Sequence, residues 1–216
     1  MQILVVSATE LEIAPFLAGQ TGIDHLITGV GGHACLYYLQ THLQKKNYEL
    51  AIQAGIAGSF SDELSLGETV LVEKDVFADL GVFEHGELKT LFDMGLANKN
   101  EWPYQEGWLL NDHPLLSDYK LKKVAAASVN SLSDDRSLTA LYKNKFNAAV
   151  ESMEGAAFHY TCLQQKIPFL QLRSISNRVG DRDKNNWKMM EAIKHLNDEL
   201  KALIQYSRQQ DLNYKS

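Results

Sequence analysis

Two carboxylates and one amide, Glu12, Glu154 and Asn177, stand where apolar runs give way to polar residues, the place where open α/β sheets hold small ligands. Glu12 follows the run Ile3–Val6 in the segment Ser7-Ala-Thr-Glu10-Leu-Glu12. Glu10 reads equally as a charge that steadies a helix start, whereas Glu12, one turn in, is placed to point back into a cleft. The run Val150-Glu151-Ser-Met153-Glu154-Gly155-Ala-Ala157 takes a strand into a small-residue helix with two acids at the junction. An unpaired buried acid is costly, so Glu154 calls for hydrogen-bonding partners. The vicinal hydroxyls of a ribose suit it, since one carboxylate accepts from both.

Two further segments complete the set. In Gln53-Ala-Gly55-Ile56-Ala57-Gly58-Ser-Phe60, small residues follow an apolar strand, and we expect a loop whose backbone N–H groups approach a base or sugar closely. Its spacing fits neither a Walker A loop nor the dinucleotide GxGxxG, and Gly29-Val-Gly31-Gly32 reads as a plain turn before a helix. In Leu172-Arg173-Ser-Ile-Ser176-Asn177-Arg178-Val-Gly180-Asp181-Arg182-Asp183, an apolar strand is expected to end in a charged turn. Asn177 at the strand end is the sharper candidate there. Arg178, Asp181, Arg182 and Asp183 read equally as solvated loop charges.

The elements that must position these groups follow from periodicity. Short apolar runs alternate with longer amphipathic stretches, the α/β pattern of a central sheet flanked by helices. Strands are expected at Ile3–Val6, Leu26–Thr28, Leu50–Gln53, Thr69–Val72, Val124–Val129, Ala148–Val150 and Phe169–Arg173. Helices are expected at Glu10–Gly19, His33–Lys46, Glu154–Lys166 and Trp187–Ser207, the last with Ile193, Leu196, Leu200 and Leu203 as one buried stripe. Between Phe77 and Asn111 the rhythm breaks into a segment dense in glycine and aromatics, including Phe83, Phe92, Trp102, Tyr104 and Trp108, which reads as a substrate-shaping or subunit-contacting loop. At 216 residues the chain is expected to form a single domain, 1–216, with an irregular end from about Gln209.

A net charge of -6 leaves no basic footprint for nucleic acid or an anionic membrane. The N-terminal run lacks the basic start of a signal peptide and no stretch approaches a membrane span, so a cytoplasmic protein is expected. Cys35 and Cys162 lack metal or redox spacing and read as free buried thiols. The seven histidines show no paired spacing with carboxylates, so neither metal nor cofactor is expected, and His33 and His159 read as helix-surface or core-edge residues.

In order and spacing, the four segments resemble the purine nucleosidase and phosphorylase superfamily, especially the methylthioadenosine/S-adenosylhomocysteine nucleosidases. The resemblance spans almost the whole chain. It implies a three-layer α-β-α sandwich around a mixed, partly barrel-like sheet, the nucleoside phosphorylase/hydrolase fold. It implies Glu12 as the base that deprotonates a water at C1′, Gly55, Ile56, Ala57 and Gly58 along the nucleoside, and Met153 and Glu154 on the ribose. Asn177 then serves the leaving base, beside Arg178. The nucleoside is the only partner implied, apart from further copies in a homo-oligomer, a dimer or higher.

Two departures carry information. The adenine-specific nucleosidases have aspartate where this chain has Asn177, and their Val-Glu-Met-Glu is here Val150-Glu151-Ser-Met153-Glu154, one residue longer. Adenine presents an acceptor at N7 and a donor at N6, whereas a 6-oxopurine presents acceptors at N7 and O6. An amide donates to O6 or N7 and also accepts from a protonated N7, so Asn177 suits hypoxanthine or guanine. Phosphorylases of the superfamily hold phosphate with early arginines, and the first arginine here is Arg136, which favours water as the nucleophile. Ser176-Asn-Arg-Val-Gly-Asp-Arg-Asp183 and Asp79-Leu-Gly81-Val resemble the futalosine hydrolase branch. That branch implies a benzoate to be met, with Arg178, Arg182 and Lys184 as candidate cations and Phe83 and Trp102 as candidate stacking rings. An adenine-releasing nucleosidase and a non-catalytic nucleoside-binding module are the competing readings.

Overall fold

The computed structural model describes residues 1–19 and 22–215. In chain order it forms β1 (Ile3–Ser7), α1 (Glu10–Leu17), β2 (Asp24–Ile27), α2 (Gly32–Leu43), β3 (Leu50–Ser59), β4 (Thr69–Phe77), β5 (Gly81–Glu84), β6 (Glu87–Thr90), β7 (Leu109–Leu110), α3 (Leu115–Asp118), β8 (Lys123–Ser128), α4 (Arg136–Phe146), β9 (Val150–Ser152), α5 (Gly155–Gln165), β10 (Phe169–Arg178) and α6 (Met189–Lys215).

The main sheet runs β10-β4-β8-β9-β3-β1-β2 and closes on itself because β10 also pairs with β3. Five strands thus make a barrel, from which β1 and β2 extend as an open wing. The sheet is mixed: β3 runs parallel to β1 and β10 but antiparallel to β9. Ala57, Val70, Val72, Val124, Ala126, Val150 and Ile175 come from all five barrel strands and form one buried cluster. Alanines among them suit so narrow a barrel, where interior side chains must share little space.

Helices cover both faces, giving three layers. On one, Ile13 and Phe16 of α1 and Leu196, Leu200 and Leu203 of α6 pack against Ile52 and Leu170. On the other, Cys35 and Leu39 of α2 and Phe158 and Cys162 of α5 pack against Leu4, Ala51 and Phe169. Both cysteines are free and buried. Each such stripe recurs at three- and four-residue steps, so burial of one helical face drives each layer onto the sheet.

Several elements differ from the sequence expectation. The expected loop at Gly55–Gly58 is strand, because β3 runs on to Ser59. Likewise β10 continues through Asn177 to Arg178, with an irregularity between Ile175 and Asn177. Both extensions form the longest parallel pairing of the barrel, which holds glycine and polar residues in a strand despite their low propensity. The segment from Phe77 to Asn111 contains a β5–β6 hairpin and β7. An unexpected helix, α4, is capped by Asp135, whose side chain accepts from the N–H groups of Ser137 and Leu138. The last helix extends past Gln209 to Lys215. Among the described residues no helix is long and apolar enough to cross a membrane.

Candidate active site

A cavity of about 300 Å³ opens where β1, β3, β9 and β10 reach their C-terminal ends or the loops beyond, and Glu12, Ile56, Ala57, Gly58, Glu151, Met153, Glu154 and Asn177 all line it. Thr9, Trp187, Met189 and Ile193 complete the wall from the first and last helical regions.

Glu12 is the third residue of α1, and it is held from four sides. One carboxylate oxygen accepts from the Thr9 N–H at 3.0 Å, the Thr9 hydroxyl at 2.9 Å and the Ser7 hydroxyl at 3.2 Å. Its other oxygen accepts from the Ile56 N–H at 3.0 Å. The first contact is one half of a capping box, so the same atoms that start α1 fix a carboxylate against β3.

Glu154 ends the short link between β9 and α5 and accepts from the Gly31 N–H at 2.8 Å. Gly31 thus positions Glu154 from the turn before α2. Burial raises the Glu154 pKa, opposed by the charge of Arg173 and the Gly31 N–H, while the charge of Glu12 adds to the rise.

Between the two acids stands a residue that sequence reasoning left without a role. Arg173 is almost wholly buried. Its Nη2 donates to Gln53 Oε1 at 2.9 Å and its Nη1 to the Ile56 carbonyl at 3.4 Å. Gly55 lies behind the wall instead of lining the cavity, and its lack of a side chain makes this cluster possible. A Cβ there would collide with Arg173 Nη1 and stand 3.0 Å from Glu12 Oε1. The signal in the sequence was an arginine directly after the apolar Phe169-Leu-Gln-Leu172, where only a paired cation is tolerated.

Asn177 sits on the far wall. Its Nδ2 donates to the Arg178 carbonyl at 2.9 Å and its Oδ1 accepts from the Ser176 hydroxyl at 2.8 Å. Arg178 turns away from the cavity, its guanidinium donating to the Ser61 carbonyl and fastening β10 to the turn after β3. Arg182 does line the cavity, 5.4 Å from the centre of the Trp187 ring, and the Trp187 N–H is anchored on the Asp181 carbonyl at 2.9 Å. Lys184 is exposed and absent from the wall.

The aromatic segment plays a different part from the one expected. Neither Phe83 nor Trp102 reaches the cavity of its own chain, and both are more than half exposed. Tyr104 and Trp108 pack against Tyr160 and Phe146. Asp79, in the motif that opens this segment, accepts from the Asn130 N–H at 2.6 Å. It thereby fixes the loop that carries Leu132 and Ser133 to the cavity. His33 is exposed, whereas His159 is fully buried, its Nδ1 3.0 Å from the Leu109 carbonyl. Among the described residues, no three His, Cys, Asp or Glu side chains are placed to hold a metal ion.

A barrel-centred three-layer sheet with two acids, an arginine and an amide converging at strand ends defines a protein of the nucleoside phosphorylase fold. The chain belongs to the phosphorylase superfamily, whose sequence profile matches residues 15–208. It is 32% identical to a futalosine hydrolase of Thermus thermophilus over 93% of this chain and 94% of that one. Among solved structures, a 5′-methylthioadenosine/S-adenosylhomocysteine nucleosidase of Helicobacter pylori superposes with a TM-score of 0.78 at 17% identity, covering 94% of this chain and 97% of the other. A futalosine hydrolase of Helicobacter pylori gives 0.78 at 16% identity with the same coverage. At those identities the two structures speak for the fold alone.

Proposed function

We propose that this protein is a futalosine hydrolase, cleaving the N-glycosidic bond of futalosine to hypoxanthine and dehypoxanthine futalosine in menaquinone biosynthesis. The reading rests on one observation, the convergence of Glu12, Glu154 and Asn177 on a single cavity in a chain 32% identical to a futalosine hydrolase along nearly its full length.

In this mechanism Glu12, held by Thr9, Ser7 and Ile56, takes a proton from water as its oxygen bonds to C1′. Glu154 accepts from the ribose hydroxyls and Arg173 offsets the charge of both acids as C1′ becomes cationic. The C1′–N9 pair leaves with the purine, where Asn177 hydrogen-bonds N7 and O6 and solvent supplies the proton to N7. An amide is a weak acid, so Asn177 steadies the leaving base and does not protonate it.

Residues 1–216 work as one domain in this reading, in the cytoplasm, where free Cys35 and Cys162 are at home. A homo-oligomer is also part of it. Leu11, Val30 and Leu132 line the cavity yet are 52%, 57% and 39% exposed, an apolar rim suited to cover by a second copy.

The experiment is to incubate the protein with futalosine, inosine and 5′-methylthioadenosine in phosphate-free buffer and to follow the released base by chromatography. Hypoxanthine from futalosine is the expected product. Adenine from methylthioadenosine would assign the chain to the adenine-releasing nucleosidases, and no base from any of the three would leave a binding module.

A further inference from the structure

Glu151 has no part in the mechanism above, yet it faces the same space as Asn177. On β9 it is in register with Gly58 of β3, and Gly58 is in register with Asn177 of β10. Residues in one row of a sheet present their side chains to one face. The neighbouring Val150 is buried in the barrel cluster, so Glu151 points outward. With glycine in the middle, the row carries a carboxyl and an amide on its two outer strands, their Cα atoms about 10 Å apart, twice the strand spacing of ~4.8 Å. A Cβ on Gly58 would stand 3.0 Å from Val179 Cγ2 and 3.4 Å from Asn177 Nδ2, so the glycine lets Val179 and the Asn177 amide close on β3 from the same side of the sheet. Glu151, Gly58 and Asn177 all line the cavity.

We propose that Glu151 reads the edge of the base opposite Asn177, accepting the N1–H of a 6-oxopurine and rejecting adenine. This rests on the 6-oxopurine reading above. With Glu12 and Glu154 at the sugar and Asn177 at N7 and O6, the remaining edge of hypoxanthine carries N1–H, a donor, where adenine carries a bare acceptor. An ionised carboxylate accepts from the first and repels the second. The groups that act on Glu151 are Arg182, which favours its ionised form, Asp79, which opposes it, and the neutral phenol of Tyr142. Burial is the largest influence and pushes the carboxyl up to about 7. Below that value the acid carries a proton that it can donate to adenine N1, so discrimination weakens in acid.

The test compares futalosine, its N1-methyl derivative and its 6-amino counterpart as substrates between about pH 6 and pH 8. For the unaltered enzyme at the upper end, kcat/KM is expected to fall about tenfold to a hundredfold on N1-methylation, the loss of one buried hydrogen bond. Preference for futalosine over the 6-amino compound is expected to shrink as pH falls through about 7, and Glu151→Gln to make it independent of pH. Equal cleavage of the N1-methyl compound, or a pH-independent preference in the unaltered enzyme, would overturn the proposal even should the variant fail to fold. Failure to cleave futalosine at all would overturn the functional reading and this proposal with it, whereas cleavage without an N1 effect would overturn this proposal alone.

Discussion

Arg173 Nη1 lies 3.9 Å from Glu154 Oε2, and both side chains are all but sealed from solvent. Arg173 also closes on Gly55 beside Glu12 Oε1, so the guanidinium that pairs with Glu154 opposes the repulsion that Glu12 exerts on it. Its Nε N–H has no partner within the protein. The arginine is therefore held by its charge pairing and by Gln53 and Ile56, not by a full set of hydrogen bonds.

Replacing Arg173 with methionine is expected to destabilise the fold by about 3–5 kcal/mol, since the buried Glu154 carboxylate loses its cation. Urea unfolding at neutral pH checks this. Lowering the pH should recover part of the loss as Glu154, whose pKa burial raises, takes up a proton. A variant as stable as the parent would show that water reaches the acids freely.

Glu12→Gln should keep the fold, because the amide oxygen still accepts from the Thr9 N–H and hydroxyl, and only the bond from the Ile56 N–H to the other oxygen is lost. Its kcat should drop about 10²–10⁴-fold, the range for loss of a general base. Calorimetric binding of substrate should stay within a few-fold of the parent. Loss of binding in parallel with turnover would make Glu12 a substrate-holding group instead.

Asn177→Asp exchanges a group that both donates and accepts for one that only accepts when ionised. Preference is expected to move toward 6-amino purine nucleosides by about tenfold or more in the ratio of kcat/KM values. Product analysis on matched 6-oxo and 6-amino substrates reads it directly. An unchanged ratio would remove Asn177 from base recognition.

Asp75 gives a pH dependence that is separate from catalysis. It is fully buried, and burial raises its carboxyl to about 6, against hydrogen bonds from the Ser128 hydroxyl at 2.9 Å and the Gln171 amide at 3.2 Å. Gln171 Oε1 and His159 Nε2 have no partner. A proton on Asp75 with the Gln171 amide inverted satisfies both, because Asp75 then donates to Gln171 and Gln171 to His159. With the folded value near 6 and the ordinary value at 3.8, the folded state binds the proton more tightly. The contribution is therefore greatest below the ordinary value and is lost as pH rises through about 6. It amounts to about 2–3 kcal/mol. Asp75→Asn should remove that slope from unfolding measured between about pH 4 and pH 7, and should be at least as stable as the parent at pH 7. A parallel slope in both proteins would assign it to other groups.

The apolar strands and the helical stripes were legible because burial writes a period into the sequence. Leu50–Gln53 announced the start of β3, but Ala54-Gly-Ile-Ala-Gly-Ser59 hid its second half. Small residues there make room for Arg173 and Asn177, and lack of bulk reads like a loop. Ser174–Arg178 was hidden for a related reason, since its polar side chains serve the site and the inner barrel while its backbone is strand. In α4 only Thr139 and Tyr142 are buried, leaving too few apolar residues to mark a face. Glu12, Glu154 and Asn177 were legible as a motif set. The register that puts Glu151 and Asn177 on either side of Gly58 was not, because pairing between distant strands leaves no local trace.

The closure of the barrel by β10 on β3 also sets an order of events during synthesis. Along one edge, residues 51–59 pair with residues 169–178, so most of the chain must leave the ribosome before the ring can form. Until then β3 and β4 each expose an unpaired edge, and contacts of such long sequence separation form slowly. A nascent chain stalled before Phe169 would have Glu12 and Gly58 but neither Arg173 nor Asn177. It should be a chaperone client and a target for proteolysis, with aggregation as its competing fate.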